Sequence, residues 1–160
     1  MTRFFSALCL LLALYCAHAA ELHGRVVGIP DGDSIVVLDD RRQQHRVRLA
    51  GIDAPEKGQR YATRSRDNLS ALVRRQQVVV IWHKRDSYDR VVGVVYLAGR
   101  DINLEQIRAG YAWWYRAYAA EQPHDARRSY ERAEVEARQE RRGLWVDNGP
   151  VPPWVWRRAQ

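Results

Sequence analysis

Cysteine is nearly missing from this chain. Only Cys9 and Cys16 occur among 160 residues, and both lie within the first twenty. Those twenty residues differ from everything after them. Arg3 gives a positive start, Phe4 to Cys16 is an almost unbroken apolar run, and Ala17-His18-Ala19 has the small-x-small spacing that a signal peptidase reads. The run is short for a bilayer span. A lipoprotein anchor at Cys16 is the rival reading, but Tyr15 stands where a small residue is wanted. The expectation is therefore a signal peptide over 1–19, removed on export, and one domain over 20–160. The mature chain then holds no cysteine, which excludes disulfides and thiolate metal sites. The place expected for it is secreted or periplasmic, free of the membrane once the leader is gone.

Lysine is also scarce, with only Lys57 and Lys84, so arginine carries the positive charge. The full chain has a formal charge of +7; losing Arg3 with the leader leaves 25 basic against 19 acidic residues, or +6. A basic, Arg-rich domain suits a polyanion such as nucleic acid, although arginine also serves plain solubility. No internal repeat is visible, and the one biased stretch is the tail holding Pro150, Pro152, Pro153, Trp154 and Trp156. About 140 mature residues suffice for one domain with one core.

Hydrophobic periodicity predicts strands over Leu22–Ile29, Ser34–Leu38, Gln43–Ile52, Val78–His83 and Val91–Leu97. Helical spacing is expected over Gln59–Val73, Ile102–Ala109 and Asp125–Arg142. Gly110 and Gly143 stop the last two. Strands four and five are apolar at nearly every position, which fits coverage on both faces. The fold class expected is α+β: a five-stranded OB-type barrel with about three packed helices.

The informative polar residues flank the second and third strands. Antiparallel pairing about a turn near residues 40–43 brings together residues whose numbers sum to about 82–86. Asp33 and Asp53 meet that condition. Two adjacent carboxylates repel unless a cation or a shared proton compensates. Hard oxygen ligands without nearby His or Cys favour Ca²⁺ or Mg²⁺ over zinc. Glu56 follows three residues after Asp53, past Pro55, and Arg48 precedes it by five. A cation, a carboxylate and guanidinium groups together suit phosphodiester hydrolysis.

Several motifs in this order resemble the staphylococcal nuclease family. They are Asp31-Gly32-Asp33-Ser34, the run from Arg48 to Glu56, Asp86-Ser87-Tyr88-Asp89-Arg90, Asn103 with Gly110-Tyr111-Ala112, and Gly143-Leu144-Trp145. The resemblance implies a Ca²⁺-dependent endonuclease that acts on DNA and RNA with water as nucleophile and leaves 3′-phosphates. It implies Asp33 and Asp53 as metal carboxylates, Ala54 as donor of a backbone carbonyl, and Asp31 as an acid beside the metal. It implies Glu56 as general base or water-orienting group, Arg48 and Arg90 on the scissile phosphate, and Tyr88 and Tyr118 in the nucleotide pocket. No protein partner is implied, and a monomer is expected. Four departures concern substrate preference and rate. Ser34 replaces the usual Thr, and Asp89 replaces the usual Gly. Arg116 stands where a second pocket tyrosine falls, with Tyr115 one residue away, and the loop after Glu56 is short.

Simpler roles exist for each residue alone. Asp33 and Asp53 suit turns, Arg90 a loop, Arg48 a solvated strand face, and Tyr88 a barrel cap. The aromatic cluster from Tyr111 to Tyr118 suits packing as much as base stacking, and Trp145, Trp154 and Trp156 read as packing residues. The histidines show no ligand spacing, and Glu134 with Arg138 reads as an exposed i,i+4 pair. The competing function is a catalytically silent OB-type module that binds single-stranded nucleic acid. An envelope protein binding another acidic polymer rests on charge alone. Glu56 beside two metal carboxylates favours the enzyme, since a pure binder has no need of it.

Overall fold

The computed structural model describes residues 19–160. The segment read as an export leader, Cys9 and Cys16 included, lies outside the described residues except for Ala19. Chain order is β1 (Ala20–Asp31), β2 (Ser34–Leu38), β3 (Gln44–Leu49), β4 (Ile52–Asp53), α1 (Ala62–Val73), β5 (Gln77–Arg85) and β6 (Val91–Leu97). There follow β7 (Arg100–Asp101), α2 (Ile102–Arg108), β8 (Trp113–Trp114), α3 (His124–Gln139) and α4 (Pro153–Arg158). Short 3₁₀ turns cover Arg116–Glu121 and Gly143–Val146.

The sheet runs β3-β2-β1-β5-β6-β7, and β3 also pairs in parallel with β6. That last pairing closes five strands into the expected OB-type barrel. Alternation along the strands sends Val26, Ile35, Val37, Val47, Leu49, Val80 and Val95 into the interior, each at 1 % exposure or less. Each such side chain contributes about 1.5–3 kcal/mol of transfer free energy. Ile102 and Ile107 of α2, with Leu69 and Val73 of α1, complete the same core. β6 alternates buried Val91, Gly93 and Val95 with half-buried Val92, Val94 and Tyr96. One of its faces is therefore core and the other only partly covered, short of the double coverage expected.

Two features depart from the sequence expectation. The run Gln43–Ile52 is not one strand, because Gly51 adopts φ +72° and turns the chain between β3 and β4. The tail is also more ordered than its prolines suggest: Pro153 starts a fourth helix, α4, its fixed φ suiting a first helical position. Among the described residues no helix is long and apolar enough to cross a membrane.

Candidate active site

Asp33 sits in the tight turn between β1 and β2. Its backbone is fixed from several sides. Gln106 of α2 donates to the Gly32 carbonyl at 2.7 Å, and Leu49 N–H donates to the Asp33 carbonyl at 2.8 Å. Gly32 has to lack a side chain, since a Cβ there would lie 1.8 Å from Ser65 Oγ of α1. The β2–β3 register is Ser34 opposite Arg48, so Asp33 and Arg48 meet at the open end of the hairpin. The far end of that hairpin is set by Asp39, whose carboxylate accepts from Gln43 N–H at 2.8 Å.

Asp53 reaches the same place by a different route. After β3 the chain turns at Ala50–Gly51, and Asn103 of α2 holds the turn by donating to the Ala50 carbonyl at 2.9 Å. β4 then pairs with β8, Asp53 opposite Trp113. β8 is itself held by Glu134 of α3, which accepts from Trp114 N–H at 3.1 Å and pairs with Arg116 at 2.9 Å and Arg138 at 3.4 Å. Glu134 is 1 % exposed. The pair with Arg138 exists, but it is a buried hub rather than the solvated surface pair expected from sequence.

Arg48 joins the two acids. Its Nη2 lies 3.2 Å from Asp33 Oδ2 and 3.1 Å from Asp53 Oδ1. Its Nη1 donates to the Leu49 and Ile52 carbonyls at 2.7 and 2.9 Å. Asp33 Oδ2 also accepts from Ala54 N–H at 2.7 Å. Both carboxylates are buried, at 7 % and 1 % exposure. Burial pushes Asp33 up to about 7, against the attraction of Arg48 and with the repulsion of Asp31 and Asp53 added. Burial raises Asp53 as well, although Arg157 and Arg48 oppose it. The protein's own cations therefore do not fully compensate these two charges.

Glu56 stands at the rim of this cluster, on the loop that follows Pro55. The partner of its carboxylate is Arg157 of α4, which also pairs with Asp53 Oδ2 at 2.9 Å and Oδ1 at 3.2 Å. Arg157 was not anticipated from sequence. It lies 101 residues from Glu56, and only the path of the tail brings the two together.

Arg90 does not join the cluster through a direct contact. β6 starts beside β3 with Val91 opposite Val47, so strand alternation puts Arg90 on the same outer face as Arg46 and Arg48. Arg46 ties down the loop between β5 and β6 by donating to the Tyr88 carbonyl. Arg90 Nε donates to Asp86 Oδ2 at 2.7 Å; among the described residues its two terminal nitrogens have no hydrogen-bond partner. Burial works against the Asp86 charge, but the Arg90 backbone and side chain and the Tyr88 N–H hold it below the usual carboxylate range. Asp89 adopts φ +59°, the conformation a glycine would take there, and its side chain pairs with Arg85 at 3.2 Å.

The two candidate pocket tyrosines are open to solvent. Tyr88 is 69 % exposed and Tyr118 48 %. Arg90 stands over the Tyr88 ring at 5.5 Å, and Lys84 over the Tyr118 ring at 5.1 Å. Arg116 pairs with Glu134 at 2.9 Å and stands over the Trp114 ring at 4.4 Å. Tyr115, the possible substitute, stacks on Trp154 of α4 at 5.4 Å and meets Tyr118 edge-on at 5.2 Å.

A family model described as staphylococcal nuclease homologue matches residues 46–147. The chain belongs to the staphylococcal nuclease family. Among its relatives, an uncharacterised endonuclease of Escherichia coli is 45 % identical over 139 residues, covering 86 % of each chain. A protein named micrococcal nuclease from Shigella flexneri is 46 % identical over 149 residues, covering 88 % of this chain and 83 % of that one. Staphylococcal-like nuclease CAN1 of Arabidopsis thaliana is 36 % identical over 116 residues, 72 % of this chain and 34 % of its own length. The family match takes in Arg48, Asp53, Glu56 and Arg90, whereas Asp33 lies before it and Arg157 after it.

The donor set fits a hard cation. Its oxygens are the buried carboxylates of Asp33 and Asp53, with no His or Cys beside them, a donor chemistry that suits Ca²⁺ or Mg²⁺ rather than zinc. Among the described residues no group of three or more His, Cys, Asp or Glu side chains converges as a ready metal cage.

Proposed function

We propose that this chain is a Ca²⁺-dependent endonuclease that hydrolyses phosphodiester bonds of DNA and RNA, leaves 3′-phosphates and acts outside the cytoplasm. The observation that carries the reading is the buried pair Asp33 and Asp53 with Arg48 between them and Glu56 at the rim, in a chain of this family. Asp33, Asp53 and the Ala54 carbonyl would hold the ion. When bound, it offsets negative charge on the phosphoryl oxygens and orders water near the reacting phosphate.

The remaining steps belong to the protein. Glu56, at the solvent edge, accepts a proton from the attacking water or orients it. Arg48 is preorganised: two carbonyls fix Nη1, so little is spent on ordering it when charge grows on the phosphate. Arg90 is steadied through Nε by Asp86 and presents its terminal nitrogens to a phosphate. Tyr88 and Tyr118 offer exposed rings to nucleotides, a sequence-tolerant contact that suits both DNA and RNA.

The test is incubation of the purified mature protein with single- and double-stranded DNA and RNA, in Ca²⁺, in Mg²⁺ and in chelator. Cleavage in Ca²⁺, little in Mg²⁺ and none in chelator is expected. Full activity in chelator, or binding without cleavage in Ca²⁺, overturns the reading.

A further inference from the structure

Arg157 enters the site from outside the matched family domain. The segment that carries it is anchored at several points. Gln59 donates to the Val151 carbonyl, Pro153 is buried, and Trp154 stacks on Tyr115 at 5.4 Å and meets Trp113 edge-on at 6.3 Å. Arg157 follows Trp154 by one helical turn, so the aromatic anchor fixes where its guanidinium falls. That guanidinium grips both oxygens of Asp53 and extends Nη1 to Glu56.

The asymmetry between its two partners decides what this contact does. Asp53 is 1 % exposed and held by β4 and Arg48, so it needs no help to stay in place. Glu56 is on a loop, and its side chain is 38 % exposed. Among the described residues, Arg157 is the only partner of its carboxylate. A free glutamate there samples several rotamers, and each wrong one takes the carboxylate away from the reacting water.

We propose that Arg157 is a positioning residue: the C-terminal helix delivers it to tie the Glu56 carboxylate to the rigid Asp53, so that the tail completes the active site. This rests on the nuclease reading above. Acting through Glu56, Arg157 affects turnover and leaves the affinity for nucleic acid nearly unchanged. A guanidinium that instead bound substrate phosphate directly would raise KM on removal.

The experiment is a double-mutant cycle on the mature protein, with single-turnover and steady-state cleavage of one DNA oligonucleotide in Ca²⁺. The four proteins are the parent, Arg157→Ala, Glu56→Gln and the double variant, with Arg157→Lys as a fifth that keeps the charge and most of the packing. Arg157→Ala is expected to lower kcat about 10–100-fold at nearly constant KM. Arg157→Lys recovers part of that loss, because an ammonium keeps the charge but not the two-pronged grip. In the Glu56→Gln background the Arg157→Ala change costs little more. Melting the first four proteins in chelator reads the contact without turnover: Arg157→Ala lowers the midpoint less when Glu56 is already Gln. Independent, multiplicative losses, a rise in KM alone, or equal midpoint losses in both backgrounds overturn the proposal while leaving the nuclease reading intact. A parent that cleaves nothing, or a Glu56→Gln variant at the parent rate, overturns both.

Discussion

Arg48 Nη2 lies 3.1 Å from Asp53 Oδ1, and that carboxylate is 1 % exposed. The contact joins stability to function. Without the guanidinium two buried carboxylates face each other with only Arg157 to offset them. Arg48→Ala is therefore expected to destabilise the metal-free protein by up to about 3 kcal/mol. It is also expected to slow cleavage by about 10²–10³-fold. Melting in chelator and single-turnover cleavage check the two effects; a variant that melts and cleaves like the parent contradicts both.

Asp33 gives a pH signature. Burial raises its folded value to about 7 from an ordinary 3.8, so between those values the folded chain binds a proton that the unfolded chain releases. The stability of the metal-free protein accordingly falls as pH rises from about 4 to about 7. Asp33→Asn removes that penalty and keeps an oxygen to accept from Ala54 N–H. It is expected to melt above the parent at pH 8 and close to it at pH 4, both in chelator. The stabilisation that Ca²⁺ gives the parent should be lost. A variant less stable than the parent at pH 8 counts against the assignment.

Glu134 supports the site from a distance, as the buried partner of Trp114 N–H, Arg116 and Arg138. Removing it leaves one strand N–H and two guanidinium groups without their acceptor. Glu134→Ala is expected to cost about 1–3 kcal/mol, chiefly for the Trp114 N–H left unsatisfied, and to loosen β8, the partner strand of Asp53. Denaturant titration measures the loss; a change within about 0.5 kcal/mol is what an ordinary surface position gives.

How far the site could be read from sequence follows from how far each contact reaches along the chain. Asp33 and Arg48 come together by local pairing, and the observed register, Ser34 opposite Arg48, sums to the lower edge of the expected window. Asp53 was expected on the same hairpin ladder. The proximity holds, but Gly51 breaks the strand and Asp53 arrives on a separate strand paired with Trp113. The glycine itself, Gly51 within the predicted strand, was the available clue. Glu134 looked solvated because Arg138 one turn away suggests an exposed pair; only the fold shows the Trp114 N–H that needs an acceptor. Arg157 could not be placed, since no local pattern fixes where a proline-rich tail returns. Its signal is faint: an aromatic anchor with an arginine one helical turn later.

Binding of nucleic acid should weaken steeply with salt, because each Arg–phosphate contact releases counterions. Between 50 and 200 mM salt the affinity of Glu56→Gln for an uncleaved oligonucleotide is expected to fall about tenfold or more. Fluorescence anisotropy in Ca²⁺ measures it. An affinity indifferent to salt argues against phosphate contacts by the basic residues.

The most direct measurement is single-turnover cleavage of DNA and RNA oligonucleotides by the parent and Glu56→Gln, each in Ca²⁺ and in chelator, with folding checked by melting. Gln is nearly isosteric with Glu but cannot take a proton from water. The parent should cleave both substrates in Ca²⁺ and neither in chelator, and Glu56→Gln should bind them yet cleave about 10²-fold or more slowly. Cleavage by Glu56→Gln at the parent rate, or by the parent undiminished in chelator, contradicts the account.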